Sequence, residues 1–262
     1  MDAPYSSTGS STGRDTVGDD LTSPARLARS ILSCPTEVEF VIDGVSHPLA
    51  DDTDLPLQDH AGVPTFSCTP NGALARAGQE GRPVVVTVRS AMRSAEMDLR
   101  GTQLALAGRL RSTGPEYCEC CDEVRDRLVI DLEMIRLREC ADLDSELGRT
   151  ASGSAEARRT DIAVEAFLDP AHHLNPGYLQ RAVDHANHSH QEELRRAVAG
   201  RTNSRLRHVV GVRLANLTAR SVEVQWITAD GGNRTVVRFP SPATTPEQLG
   251  EALRRALHPG LC

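Results

Sequence analysis

The chain contains no lysine: all 29 basic residues are arginine, set against 36 acidic residues, for a net charge of −7. That bias is expected of a GC-rich bacterial genome. Aromatic residues make up only 3% of the 262 positions, with a single tryptophan. An acidic chain poor in stacking side chains lacks the surface that a nucleic-acid binder needs. No apolar run approaches the ~18 residues of a membrane-spanning helix. The N-terminus has no basic stretch followed by an apolar core, so no secretory signal is expected and the cytoplasm is the default location. In that compartment the seven cysteines should be reduced thiols.

A content of 39% hydrophobic and 25% charged residues over 262 positions supports two globular domains with their own cores. Residues 1–20 are rich in Ser, Thr, Gly and Asp and read as a disordered tail. The first domain, 21–140, opens with a helix at 23–32 that has Pro24 at its first position and Leu27, Ile31 and Leu32 on one face. Strand signals follow at Glu37–Ile42 and Val63–Thr69, then a short helix at 71–79. The β-branched run Pro83–Val88 should form the centre of a sheet. Residues 97–111 and 128–137 alternate as strands do. Between them, Tyr117, Cys120, Cys121, Val124 and Leu128 are spaced as the apolar stripe of a short helix. The two cysteines therefore read as small core residues, and no metal is expected there. Six or so strands with inserted helices suggest a small closed barrel.

A polar linker, 141–163, leads to a C-terminal domain at 164–262. Its strands are expected near 207–215, 220–228 and 234–239, with Asp230-Gly231-Gly232-Asn233 as a hairpin turn. Thr245-Pro246-Glu247-Gln248 reads as the capping box of a final helix.

The most informative stretch lies in this domain. Three of the nine histidines fall in His185-Ala186-Asn187-His188-Ser189-His190. The pattern predicts one helix from Pro176 to Ala199, terminated by Gly200. Leu179, Val183, Ala186, Leu194 and Val198 form its apolar stripe, with His190 in the gap. On that reading His190 faces the core, His185 lies at its edge and His188 points away. Two histidines on one helix share a metal best at i and i+4. Neither His185/His188 nor His185/His190 has that spacing, so no metal is expected.

From Val84 to Leu110 the chain gives a buried strand, an arginine-containing bend and then Leu104-Ala105-Leu106-Ala107-Gly108-Arg109-Leu110. In this order residues 24–138 resemble the pyridoxamine 5'-phosphate oxidase-like split β-barrel. The C-terminal module resembles the domain of unknown function that follows this barrel in haem-utilisation proteins. The first helix of that domain carries His-x-Asn-x-x-His, matched here by His185, Asn187 and His190. Asp169-Pro170 before it and Val236-Val237-Arg238-Phe239-Pro240 after it also match. The resemblance implies an α+β chain, an N-terminal split β-barrel followed by a small C-terminal α+β domain (helix, three-stranded antiparallel sheet, helix). It also implies a homodimer with a cofactor cleft between subunits. Relatives bind flavin mononucleotide (FMN), degrade haem, or bind a protein of tetrapyrrole metabolism.

Flavin-binding relatives place an arginine or lysine just after the third strand. Here Phe66-Ser67-Cys68-Thr69-Pro70-Asn71 has no basic residue, and the next is Arg76. Arg82 and Arg89 remain as candidates for the phosphate, and their spacing gives them no special claim, so FMN is disfavoured. Haem needs an apolar slot, cations for its propionates and an axial ligand. The candidate cofactor-binding residues are His185, Asn187 and His190, with His258 matching the relatives' C-terminal histidine. Three readings stay open: a binding or regulatory protein of haem or iron metabolism, a haem-degrading or FMN-dependent oxidoreductase, and a protein-interaction module without a cofactor.

Overall fold

The computed structural model describes residues 23–43, 45–47, 57–92, 99, 101–117, 124–139 and 158–257. The tail 1–20, most of the linker, and Cys118, Cys120, Cys121, Cys140, His258 and Cys262 lie outside these residues. The chain is mixed α+β, with one large antiparallel sheet and a second, three-stranded one.

The first module begins with α1 (Pro24–Ser33), then β1 (Glu37–Ile42), β2 (Val45–His47), β3 (Gln58–His60) and β4 (Val63–Cys68). Next come α2 (Ala73–Gln79), β5 (Pro83–Arg89), β6 (Thr102–Tyr117), β7 (Val124–Glu139) and β8 (Arg158–Ile162). The strand order is β2-β1-β5-β6-β7-β4-β3, with β8 also on β7. Among the described residues no pairing closes this sheet into a barrel. As the β-branched run predicts, β5 lies inside the sheet, between β1 and β6.

Two differences from the sequence reading stand out. β6 and β7 are 16 residues each and form one long hairpin. Tyr117 pairs with Val124 near its tip, and Leu128 lies further along β7. The stripe assigned to a short helix is therefore strand on both sides of the tip. Tyr117 is 70% exposed, so it has no core to join. Cys118, Cys120 and Cys121 themselves lie outside the described residues. The second difference is β8, which occupies the end of the stretch read as linker. β4 pairs with Asp126–Val129 of β7 and β8 with Ile135–Glu139, so the two short strands share one edge of the long one. An uncovered edge has unpaired peptide groups, and β8 satisfies them.

α3 (Val164–Phe167) leads into the second module. It holds α4 (Pro176–Ser189), α5 (Gln191–Arg201), β9 (Gly211–Ala215), β10 (Ser221–Thr228), β11 (Gly231–Arg238) and α6 (Pro246–Leu257). The sheet order is β11-β10-β9. The expected β10–β11 hairpin forms, but its turn sits two residues earlier, since Thr228 pairs with Gly231. Phe167 belongs to the first core, with Phe40 and Phe66, while Leu194, Leu214, Val222 and Leu249 belong to the second.

A buried polar cluster joins the modules. Arg29, on α1, is 1% exposed. Its Nε and Nη2 donate to the two carboxylate oxygens of Asp59 at 3.3 and 3.2 Å, and its Nη1 donates to the Phe167 carbonyl at 3.1 Å. Asp59 also accepts from the Ser33 hydroxyl at 2.5 Å and from the Gly62 amide at 2.6 Å. Ser33 in turn accepts from Asn175 Nδ2 at 3.0 Å. Asn175 caps α4, its Oδ1 accepting from the Tyr178 amide at 2.9 Å. Two residues on, a Cβ at Gly177 would lie 2.0 Å from the Ser30 carbonyl oxygen, so only glycine lets α4 cross α1 this closely.

Removing one partner of a buried ion pair leaves the other charge unpaired, at a cost of about 3–5 kcal/mol. Asp59→Ala is expected to lose that much in urea unfolding. Arg111→Ala, from the exposed pair with Asp131, should lose less than about 1 kcal/mol. Equal losses would show that the buried cluster is no anchor.

Candidate functional site

The histidine stretch does not run as one helix. α4 ends at Ser189, His190 departs to φ −122°, ψ 30°, and α5 starts at Gln191. Val183, Leu194 and Val198 are buried as the apolar stripe requires. His190 sits at the break, and it is exposed rather than core-facing. His185 is also exposed, and so is His188, as expected.

Asn187 holds this region to the sheet. Its Nδ2 donates to the Leu214 carbonyl at 2.9 Å, and its Oδ1 accepts the Leu214 amide at 2.7 Å. The side-chain amide thus acts as one more residue of strand on the free edge of β9. One turn later, Gln191 Nε2 donates to the Val212 carbonyl at 2.9 Å and to the Asn187 carbonyl at 2.7 Å. The second bond satisfies one of the carbonyls that a helix end leaves unpaired. The candidate residues His185, Asn187 and His190 therefore separate into two parts. Asn187 is structural, whereas the two histidines face each other with their Nε2 atoms 3.2 Å apart.

The pair opens onto a cleft of about 860 Å³ between the modules. Its apolar wall comes from Ala182, Ala186, Leu194, Leu214 and Leu253. Arg181 on α4 and Arg254 on α6 supply positive charge, and His60 enters at the end of β3. Arg254 pairs with Glu251 on its own exposed surface. Gly250 of α6 also lines the cleft, and a Cβ there would meet nothing within 4 Å. A glycine inside a helix costs about 1 kcal/mol relative to alanine, and this one leaves room.

The other sequence candidates lie elsewhere. Arg82 pairs with Glu80 and Asp43, and Arg89 with Glu37. They flank β5, separated by seven strand residues or roughly 23 Å, too far to grip one phosphate. His258 falls outside the described residues. His60, Arg181 and Arg254 escaped the sequence reading. For Arg181 a signal was present: Tyr178, Arg181, Ala182, His185 and Ala186 are spaced 3, 1, 3 and 1, one face of a helix. His60 and Arg254 reach the cleft only through the tertiary fold.

Burial, with Arg127 second, holds the His60 imidazole below its ordinary range. Burial, opposed by Asp169, does the same at His172, whose Nδ1 is enclosed without a hydrogen-bond partner. Burial pushes the Tyr178 phenol up, aided by Glu247, so it stays protonated at neutral pH.

No protein-family model matches the chain, and no curated protein matches it significantly. Among solved structures, a heme binding protein from Mycobacterium smegmatis aligns at 16% identity and a TM-score of 0.35, covering 88% of this chain and 97% of that one. Hcp1 from Salmonella typhimurium aligns at 13% identity and a TM-score of 0.24, covering 39% of this chain and 86% of that one. Scores this low carry no functional inference. Among the described residues no helix is long and apolar enough to cross a membrane.

Asn187→Ala would strip both partners from Leu214, which is 1% exposed. The expected loss is about 1–3 kcal/mol, read by denaturant unfolding. His188→Ala should stay within about 0.5 kcal/mol of the parent.

A depressed imidazole pKa means that protonation favours the unfolded chain. That contribution is whole above the unfolded value near 6.5 and is lost as pH falls through it toward the folded value. Unfolding free energy should therefore decrease from pH 7.5 to 5.5. The decrease should be smaller in His172→Gln, and an unchanged slope would clear His172 of the effect.

Proposed function

We propose that this chain is a split-barrel protein that binds haem in the cleft between its modules, in a binding or regulatory role in haem and iron metabolism. One observation carries the reading: an apolar wall, two arginines and imidazoles converge on one hollow. These are the three things that haem asks of a protein. The volume lies within the ~300–1,000 Å³ typical of small-molecule sites. Arg181 and Arg254 would meet the propionates. His60 from the sheet side, or one of His185 and His190 from the helix side, would ligate the iron. Bound haem would supply redox and ligand-binding chemistry. The chain's own part is to position an imidazole, neutralise two carboxylates and exclude water with Leu194, Leu214 and Leu253. A flavin oxidase is disfavoured because the two arginines proposed for its phosphate are separated by the length of β5 and do not line the cleft.

Haemin titration should give a one-to-one complex with a Soret band. Gly250→Leu should fill the open space on α6 and abolish the band while leaving the thermal midpoint intact. Arg181→Ala should weaken binding by about tenfold to a hundredfold, the worth of one charge-assisted hydrogen bond. No Soret band, or equal binding by Gly250→Leu, would overturn the proposal.

A further inference from the structure

We propose that His185 and His190 form a chelate for a single divalent transition-metal ion of the zinc class. The site is separate from the haem site where His60 supplies the iron ligand, because it uses both imidazoles of the pair.

The geometry of the pair carries the inference. The Nε2 atoms are 3.2 Å apart and the ring centroids 5.0 Å apart, with an interplanar angle of 77°. An imidazole nitrogen lies about 1.15 Å from its ring centroid, so a straight N–H···N bond of this length would put the centroids roughly 5.5 Å apart. The shorter separation means that at least one ring is turned off the line joining the two nitrogens. Two nitrogens each about 2.0–2.1 Å from a tetrahedral ion stand roughly 3.3 Å apart, and the 3.2 Å separation of this pair fits that bite. The contact serves as an off-line hydrogen bond in the free chain, and the same two nitrogens lie close enough together to share one ion.

The break in the helix creates this geometry. In an unbroken helix, residues five apart lie about 140° from each other around the axis. The departure at His190, without proline or glycine, brings its ring back to His185. Asn187 and Gln191, between and beside the two histidines, are both bonded to β9. The pair is therefore held in place before any ion arrives, which lowers the entropy cost of binding.

Both rings are exposed and reachable from the cleft. Among the described residues no third His, Cys, Asp or Glu completes a ligand set. The site is therefore an open one, with positions left for water or for an anion drawn in by Arg181. Imidazole ligands without thiolate favour Zn²⁺, Ni²⁺ and Cu²⁺ over Mg²⁺ and Ca²⁺.

Zn²⁺ titration of the haem-free chain by calorimetry should show one equivalent bound. His185→Ala and His190→Ala should each weaken uptake at least about tenfold, while His188→Ala binds as the parent does. With Cu²⁺ as the probe, the electron paramagnetic resonance spectrum should show two nitrogen ligands, falling to one in either variant. No uptake by the parent, or uptake and a two-nitrogen spectrum that survive both substitutions, would overturn the proposal. Since no haem is present, this result and the Soret titration can each fail without the other.

Discussion

The buried pair of Arg29 and Asp59 is the contact on which the position of every cleft residue depends. A guanidinium out of water is unfavourable unless its donors are satisfied. Desolvation lowers the Arg29 pKa, and Asp59 partly restores it. The arginine fork meets both carboxylate oxygens and the Phe167 carbonyl, and its guanidinium carbon lies 5.6 Å from the centre of the Phe167 ring. A lysine would offer a point charge without the planar fork. Most arginines in this chain follow from its lysine-free composition, but at position 29 the geometry itself requires arginine.

From Asp59 the constraint passes to the second module. Asp59 holds Ser33, Ser33 receives Asn175, and Asn175 caps α4. The start of α4 is thus fixed by a hydrogen bond and by the close crossing at Gly177. Its end is fixed by Asn187 on the edge of β9. The twelve residue steps from Asn175 to Asn187 span about 18 Å of helix. A helix secured at both ends has its rotation set, so Tyr178, Arg181 and His185 must face the cleft. The cleft's geometry is in this sense a consequence of polar contacts outside it.

Much of this was legible in the sequence, and the exceptions share a cause. α1, β1, β4, α2, β5 and α6 lie close to where hydrophobic period and capping residues put them, because each buries one face locally. The far halves of β6 and β7 escaped because residues 111–117 are exposed or half-buried and have no alternation of apolar residues to read. β8 reads as polar linker because its pairing with β7 is set by a free edge more than twenty residues away. The break at His190 was hidden by a stripe that holds on both sides of it. Arg29 and Asp59, thirty residues apart, give no local signal at all. For the site, the helix face containing Arg181 and His185 was readable. The pairing of His185 with His190 was not, since it depends on the backbone departing from the helix that the period predicts.

The distribution of hydrogen-bonding capacity separates structure from site. The two amides that fix α4 are fully used: Asn175 Nδ2 donates twice and its Oδ1 accepts, and Asn187 engages both ends of its amide. Removing such groups costs stability, because nothing else can take their partners. At the cleft the pattern reverses. Arg181 makes no hydrogen bond or ion pair among the described residues, and His185 and His190 bond only to each other there. These groups do little for the fold, and water satisfies them in the free chain. A ligand that meets them while covering Leu194, Leu214 and Leu253 would gain apolar burial without breaking any internal bond that holds the modules together. The cleft therefore has the character of a binding surface rather than of an unfilled core.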